Sequence, residues 1–104
     1  MNRVDAELRQ SLGEYLEGAC KAQSDRAITW GRNGILAMDR EWVLRNIDAT
    51  AKTALDLTDE WEFRRLLEVY ALLDPDLLNG LVKIGQRSPA PEIREAAEDR
   101  AGKL

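Results

Sequence analysis

Apolar side chains recur at intervals of three and four along most of this chain, the spacing that turns one face of an α-helix toward a core. Leu8, Leu12, Tyr15, Leu16 and Ala19 form the first such stripe and predict a helix from about Val4 to Ala22. Gly13 and Gly18 lie inside it, each costing about 1 kcal/mol relative to alanine, so this helix depends on packing more than on propensity. Asp39 is placed to cap a further helix, with Glu41 in its first turn and Val43, Ile47, Ala51, Ala54 and Leu55 on one face. The strongest pattern follows: Thr58 reads as a cap, Asp59, Glu60 and Glu62 suit the positive end of a helix, and Phe63, Leu66, Leu67, Tyr70 and Leu73 form its buried stripe. Proline restricts the residue before it and fits the first helical position, so Asp74-Pro75 closes that helix and opens the next. Leu77, Leu78, Leu81, Val82 and Gly85 then mark an inward face, and the two helices form an antiparallel hairpin in which Gly85 either admits a close neighbouring helix or begins the exit. Pro91 opens a last helix with Ile93, Ala96, Ala97, Ala101 and Leu104 facing inward.

Ser24 to Met38 supports two readings. A short helix capped by Ser24 or Asp25 could run into a loop at Gly31 to Gly34, or a small hairpin could turn on Asn33-Gly34 between Ile28–Trp30 and Ile35–Ala37. The helix with a loop is favoured, because a lone two-stranded ribbon is marginal in water.

A half-repeat runs through the second half of the chain. Glu62, Phe63 and Arg64 reappear thirty residues on as Glu92, Ile93 and Arg94, and the same shift carries Thr58 to Ser88, Glu68 to Glu98 and Ala71 to Ala101. Self-similarity at that period is the mark of stacked helical hairpins. The stretch from Trp61 to Ala101 resembles the HEAT-repeat family and its helical-repeat relatives, whose units restart with a Pro-Glu-aliphatic-Arg-x-x-Ala pattern; here it is Pro91, Glu92, Ile93, Arg94 and Ala97. Two departures stand out: Ala90 occupies the position where such repeats carry an Asp cap, and the final unit lacks its second helix, so the last segment closes the array or is covered by another chain. The resemblance implies an all-α fold of about five helices in a right-handed, HEAT-like antiparallel helical-hairpin stack. A single domain is expected over 1–104, with an N-terminal helix and the ambiguous segment in 1–38 and HEAT-like helices in 39–104.

Composition narrows the chemistry. The 104 residues contain no histidine and one cysteine, Cys20, which removes the commonest general base, the commonest zinc ligand and any intramolecular disulfide. Residues 1–52 balance eight basic against eight acidic side chains, whereas residues 53–104 set seven against eleven, so the net charge of −4 resides in the second half. That distribution opposes the basic face required for nucleic acid and favours a basic protein partner. No apolar run approaches the ~20 residues of a membrane span, and the acids at Asp5 and Glu7 interrupt any secretory signal, which predicts a cytoplasmic location.

The candidate partner-binding residues are Trp61, Asp59, Glu60, Glu62 and Asp56: an aromatic beside the Phe63 stripe, in an acidic helix start. Trp30 and Trp42 are weaker aromatic candidates, and Asp74 and Asp76 form a second acidic cluster. Each has a structural reading too, as core-edge packing for the tryptophans and capping for the acids. Arg64, Arg65 and Arg94 read as ties between a helix and its neighbouring turn, and Cys20 as a small packing residue. No catalytic, cofactor or metal site is assigned. The expected role is a non-enzymatic protein–protein interaction module, one version being an immunity- or antitoxin-like binder of a basic protein. Two alternatives stand beside it: a small HEAT-like enzyme or nucleic-acid-processing domain, as HEAT-like DNA glycosylases place a cleft with Trp, Asp and Arg on this architecture, and a self-associating subunit such as a homodimer.

Overall fold

The computed structural model describes residues 3–103 and contains six α-helices and no strand among them. They are α1 (Arg3–Cys20), α2 (Asp25–Ala37), α3 (Arg40–Ala54), α4 (Glu60–Leu73), α5 (Pro75–Gln86) and α6 (Pro91–Ala101). The expected stripes are inside: Leu12, Leu16 and Ala19 of α1, Val43, Ile47 and Ala51 of α3, all five apolar positions of α4, and Ile93, Ala96 and Ala97 of α6 are buried. Leu8, Leu77 and Ala101 are half-buried at the edge, and Leu104, expected on the inner face of the last helix, lies outside the described residues.

Neither the loop nor the hairpin expected around Gly31 to Gly34 forms; α2 runs unbroken through both glycines, which makes six helices where about five were expected. Ser24 caps it, its hydroxyl accepting the Ala27 N–H at 3.1 Å. The reason lies across the interface. A Cβ on Gly31 would stand 2.4 Å from the carbonyl oxygen of Tyr15 and 2.5 Å from the Ala19 nitrogen, and one on Gly34 would meet the Tyr15 ring at 2.4 Å. Gly31 belongs to the buried stripe Ile28, Gly31, Ile35 and lets α2 touch the backbone of α1, while the half-buried Gly34 makes room for the Tyr15 ring. Two interior glycines cost about 2 kcal/mol, whereas burying Ile28 and Ile35 contributes about 3–6 kcal/mol, so packing prevails over propensity.

Two helices organise the rest. Helix α1 packs against α2, α3 and α4, while α4 packs against α1, α5 and α6. Pairs of contacts set the directions: Arg9 reaches Asn46 and Gly13 lies by Thr50, so α1 and α3 run parallel, whereas Arg40 donates to the Leu73 carbonyl at 2.9 Å and Tyr70 donates to Asp48, so α3 and α4 run antiparallel. Successive helices thus alternate in direction. The thirty-residue echo appears in the packing, where Phe63, Leu66 and Leu67 of α4 and Ile93, Ala96 and Ala97 of α6 are buried at matching positions. Gly85 has the close neighbours expected of it, since a Cβ there would lie 2.7 Å from both the Phe63 ring and the Ala97 methyl. None of the described helices is long and apolar enough to cross a membrane.

The α1–α2 contact makes a paired prediction. Gly31→Ala forces a methyl into backbone atoms that cannot move aside, and stability falls by about 2 kcal/mol. Gly80→Ala on α5, with no atom within 4 Å of the new methyl, raises stability by up to about 1 kcal/mol. Urea unfolding of the two variants beside the wild type measures both; equal effects would remove the close-approach explanation.

Candidate functional site

The acidic start of α4 is a knot of local hydrogen bonds. Asp56 accepts the Thr58 amide at 3.0 Å and the Thr58 hydroxyl at 2.6 Å. Those two bonds, the hydroxyl first, hold its carboxyl below the usual aspartate range. Asp59 caps α4 through the Glu62 N–H at 2.9 Å, and Glu62 reaches back to the Asp56 N–H at 3.0 Å. Asp59 therefore takes the capping position expected of Thr58, whose hydroxyl is committed to Asp56. Glu60 accepts the Arg64 Nε–H at 2.8 Å, and the same guanidinium reaches Asp99 of α6 at 3.0 Å.

Every acid of the candidate set thus has a partner within the fold, while the Trp61 indole makes no hydrogen bond or ring contact among the described residues and is 67% exposed. It stands beside a groove of about 450 Å³ between the end of α1 and the first turn of α4, with Cys20, Lys21, Glu62 and Arg65 also on its walls. Trp61, Asp59 and Glu62 of the candidate set line this one groove. The other tryptophans divide: Trp42 is half-buried against the core, and Trp30, 53% exposed, lays one side edge-on against Tyr15 with ring centroids 4.9 Å apart.

The second acidic cluster separates by role. Asp74 caps α5 through the amides of Asp76 and Leu77 and pairs with Arg40 at 3.1 Å. Arg94 ties α6 to the preceding turn as expected, donating to the Ser88 carbonyl at 2.8 Å, whereas Arg64 and Arg65 pair with carboxylates. Arg65 shares Glu68 with Arg32 of α2, which joins the two helices across the surface.

Cys20 is 3% exposed, and burial pushes its thiol up to about 12. At neutral pH it is a protonated packing group and no thiolate nucleophile. Among the described residues no three Cys, Asp or Glu side chains are grouped to hold a metal ion.

Sequence spacing did not reveal a second concavity, of about 370 Å³, on the other side of α4. Its floor is Phe63, Leu66 and Tyr70, and its walls come from α3 and from α5 with the turn to α6. The Tyr70 hydroxyl donates to Asp48 of α3; burial, and then this bond to a carboxylate, raise its pKa well above the ordinary tyrosine value. A signal did exist, because a tyrosine inside a buried stripe needs a polar partner for its hydroxyl.

Comparison with known proteins finds no matching family model, no similar curated protein and no similar solved structure. The site is therefore read from its own geometry.

Burial of Cys20 carries a pH dependence. The unfolded thiol loses its proton near its ordinary value of 9.0, while the folded one retains it to about 12, so the contribution is complete below pH 9 and declines as pH rises between those values. At pH 10 the loss is about 1.4 kcal/mol relative to pH 8. Urea unfolding at the two pH values should show a smaller alkaline loss in Cys20→Ala than in the wild type; an identical loss would assign the effect elsewhere.

Proposed function

We propose that this chain is a non-enzymatic protein-binding module that receives a basic partner at the start of α4. The observation that supports the reading is Trp61, an indole 67% exposed in the first turn of a helix where the acids around it, Asp56, Asp59, Glu60 and Glu62, are each hydrogen-bonded within the fold. An aromatic held on a rigid turn loses little conformational freedom on binding, the property that makes tryptophan frequent at interface hot spots. Asp56, Asp59, Glu60 and Glu62 supply negative charge around it, and their hydrogen bonds fix where that charge sits. Fixed acids beside an exposed indole suit a lysine- or arginine-rich surface, which they attract at distance and orient on contact.

In this reading the scaffold is a HEAT-like stack of helical hairpins, supported by the alternating helix directions and by the matched burial of α4 and α6. The protein acts in the cytoplasm, where a lone thiol stays reduced. An immunity- or antitoxin-like role is the concrete form, in which the acidic face covers a basic protein and blocks it.

The capping roles decide how the reading is tested. Charge reversal at Asp59 or Glu62 would also destroy hydrogen bonds that start α4, so Asp59→Asn and Glu62→Gln are the informative changes: each keeps an acceptor and removes the charge. Affinity capture from native cell extract, with mass spectrometry of the bound species, should recover a basic protein on the wild type. Against that protein, Trp61→Ala should lower affinity about thirtyfold, in line with ~2 kcal/mol for a hot spot. The Asn/Gln pair should weaken binding and flatten its salt dependence. A captured set that Trp61→Ala leaves unchanged would sink the proposal.

A further inference from the structure

The cleft on the far side of α4 is built for a different kind of occupant. Phe63 and Trp61 are two residues apart, about 200° around a helix, so the cleft and the exposed indole face opposite directions. Phe63, Leu66, Leu81 and Ile93 give it an apolar lining, and its volume of about 370 Å³ lies within the usual range for small-molecule sites, ~300–1,000 Å³.

One end of the cleft is cationic in a protein of net charge −4. Helices α3 and α5 both run antiparallel to α4, so their C-terminal ends lie together; Lys52 in the last turn of α3 and Arg87 at the C-cap of α5 both line the cleft there. Both side chains are exposed, and neither makes a hydrogen bond or ion pair among the described residues. The start of α6 supplies Ile93 to the same wall, and its N-terminal turn has no side-chain cap because Ala90 stands at that position. An uncapped helix start adds positive potential. Asp48 is the one acid on the cleft wall; it lies a full helical turn before Lys52, with Tyr70 donating to it. The polarity therefore runs from an apolar interior to a cationic mouth.

From this we infer that the cleft binds a small amphiphilic carboxylate free in solution, its hydrocarbon against Leu57 and Ile84 on the cleft wall, above the buried Phe63, Leu66, Leu81 and Ile93, and its carboxylate between Lys52 and Arg87. Burial of the chain supplies the affinity and the two cations supply the preference for an anion. The site is independent of the Trp61 surface, so either assignment can fail without the other.

Octanoate and octanol, equal in chain length and different in charge, separate the two contributions. Methyl chemical-shift titration should place octanoate at Leu81, Ile84 and Ile93, with octanol binding more weakly at the same methyls. Lys52→Gln with Arg87→Gln, both at exposed positions, should weaken octanoate about tenfold and octanol less than about twofold. Ile84→Asp, at a rim position 63% exposed, should likewise act against octanoate more than octanol. Urea unfolding of each variant checks that the fold is retained. The inference is overturned if octanoate leaves these methyls unmoved, if the alcohol and the acid bind alike, or if the double substitution lowers only stability, which would assign Lys52 and Arg87 to offsetting the negative helix ends.

Discussion

Helices α1 and α2 meet backbone to backbone at Gly31, and the remaining packing depends on that closeness. With no side chain between the Gly31 Cα and the Tyr15 carbonyl, α2 occupies one side of α1 and leaves the other sides to α3 and α4. Leu12, Leu16 and Ala19 are fully buried as a result, although α1 carries two glycines of its own and has little intrinsic helix preference. The same device recurs at the other end of the chain, where Gly85 admits both Phe63 and Ala97. Each hub helix is thus served by a glycine on its hairpin partner, and each arrangement replaces local propensity with buried apolar area.

Polar contacts between helices add register more than stability. Arg40 of α3 reaching the end of α4, Arg64 reaching α6 and Arg32 reaching Glu68 are all partly exposed, and ion pairs of that kind are worth about 0–1 kcal/mol each. Their geometry is nonetheless selective. Arg40 binds both a helix-terminal carbonyl and the carboxylate that caps the next helix, so one side chain fixes the corner between α4 and α5 from the side of α3. A planar guanidinium with several donors suits this task, and a lysine in its place could not hold both acceptors in a fixed plane.

The parts legible in the sequence are those where a single physical signal decides. The α4–α5 corner was readable because a complete apolar stripe ends at Asp74-Pro75, and proline leaves few alternatives. The start and Ser24 cap of α2 are legible but its length is not, because glycine in a polar stretch suggests a turn when its neighbours are unknown; only the position of Tyr15 shows that Gly31 and Gly34 face α1. The α4 cap shows a finer version of the problem. Thr58 and Asp59 are both good capping residues, but only Asp59 has a Glu three positions later, and that reciprocal pattern was the available clue. The half-repeat is legible in part of its burial and not in its boundaries: Phe63, Leu66 and Leu67 match Ile93, Ala96 and Ala97 under the thirty-residue shift. The buried Val69, Tyr70 and Leu73 fall on Asp99, Arg100 and Lys103, which are not buried, and α4 starts at Glu60 while α6 starts at Pro91, one residue out of step. At the candidate site, the exposure of Trp61 followed from its place off the stripe. The hydrogen bonds of its acids did not, because spacing names residue types and leaves open which amide each carboxylate will meet.

The division of labour around α4 follows from its place in the packing. Helix α3 leans on α1, and α5 leans on α4 and α6, so the two diverge at their outer edges and leave a cleft above the buried Phe63–Tyr70 face, with Ile84 exposed at its rim. A fully apolar opening there would be an aggregation hazard; the Tyr70–Asp48 bond bridges α3 and α4 beneath it, and the charges of Lys52 and Arg87 guard its mouth. The opening on the opposite face of the same helix is walled mainly by charged side chains, Lys21, Asp59, Glu62 and Arg65, and the salt-bridged surface formed by Arg32, Arg65 and Glu68 leads from it to Trp61. One rigid helix, held by packing on both sides, therefore presents a recessed apolar surface to one side and a projecting aromatic to the other. Burial of Phe63, Leu66 and Tyr70 orients both, because rotating α4 to widen the cleft would drive Trp61 and its ring of acids toward the core.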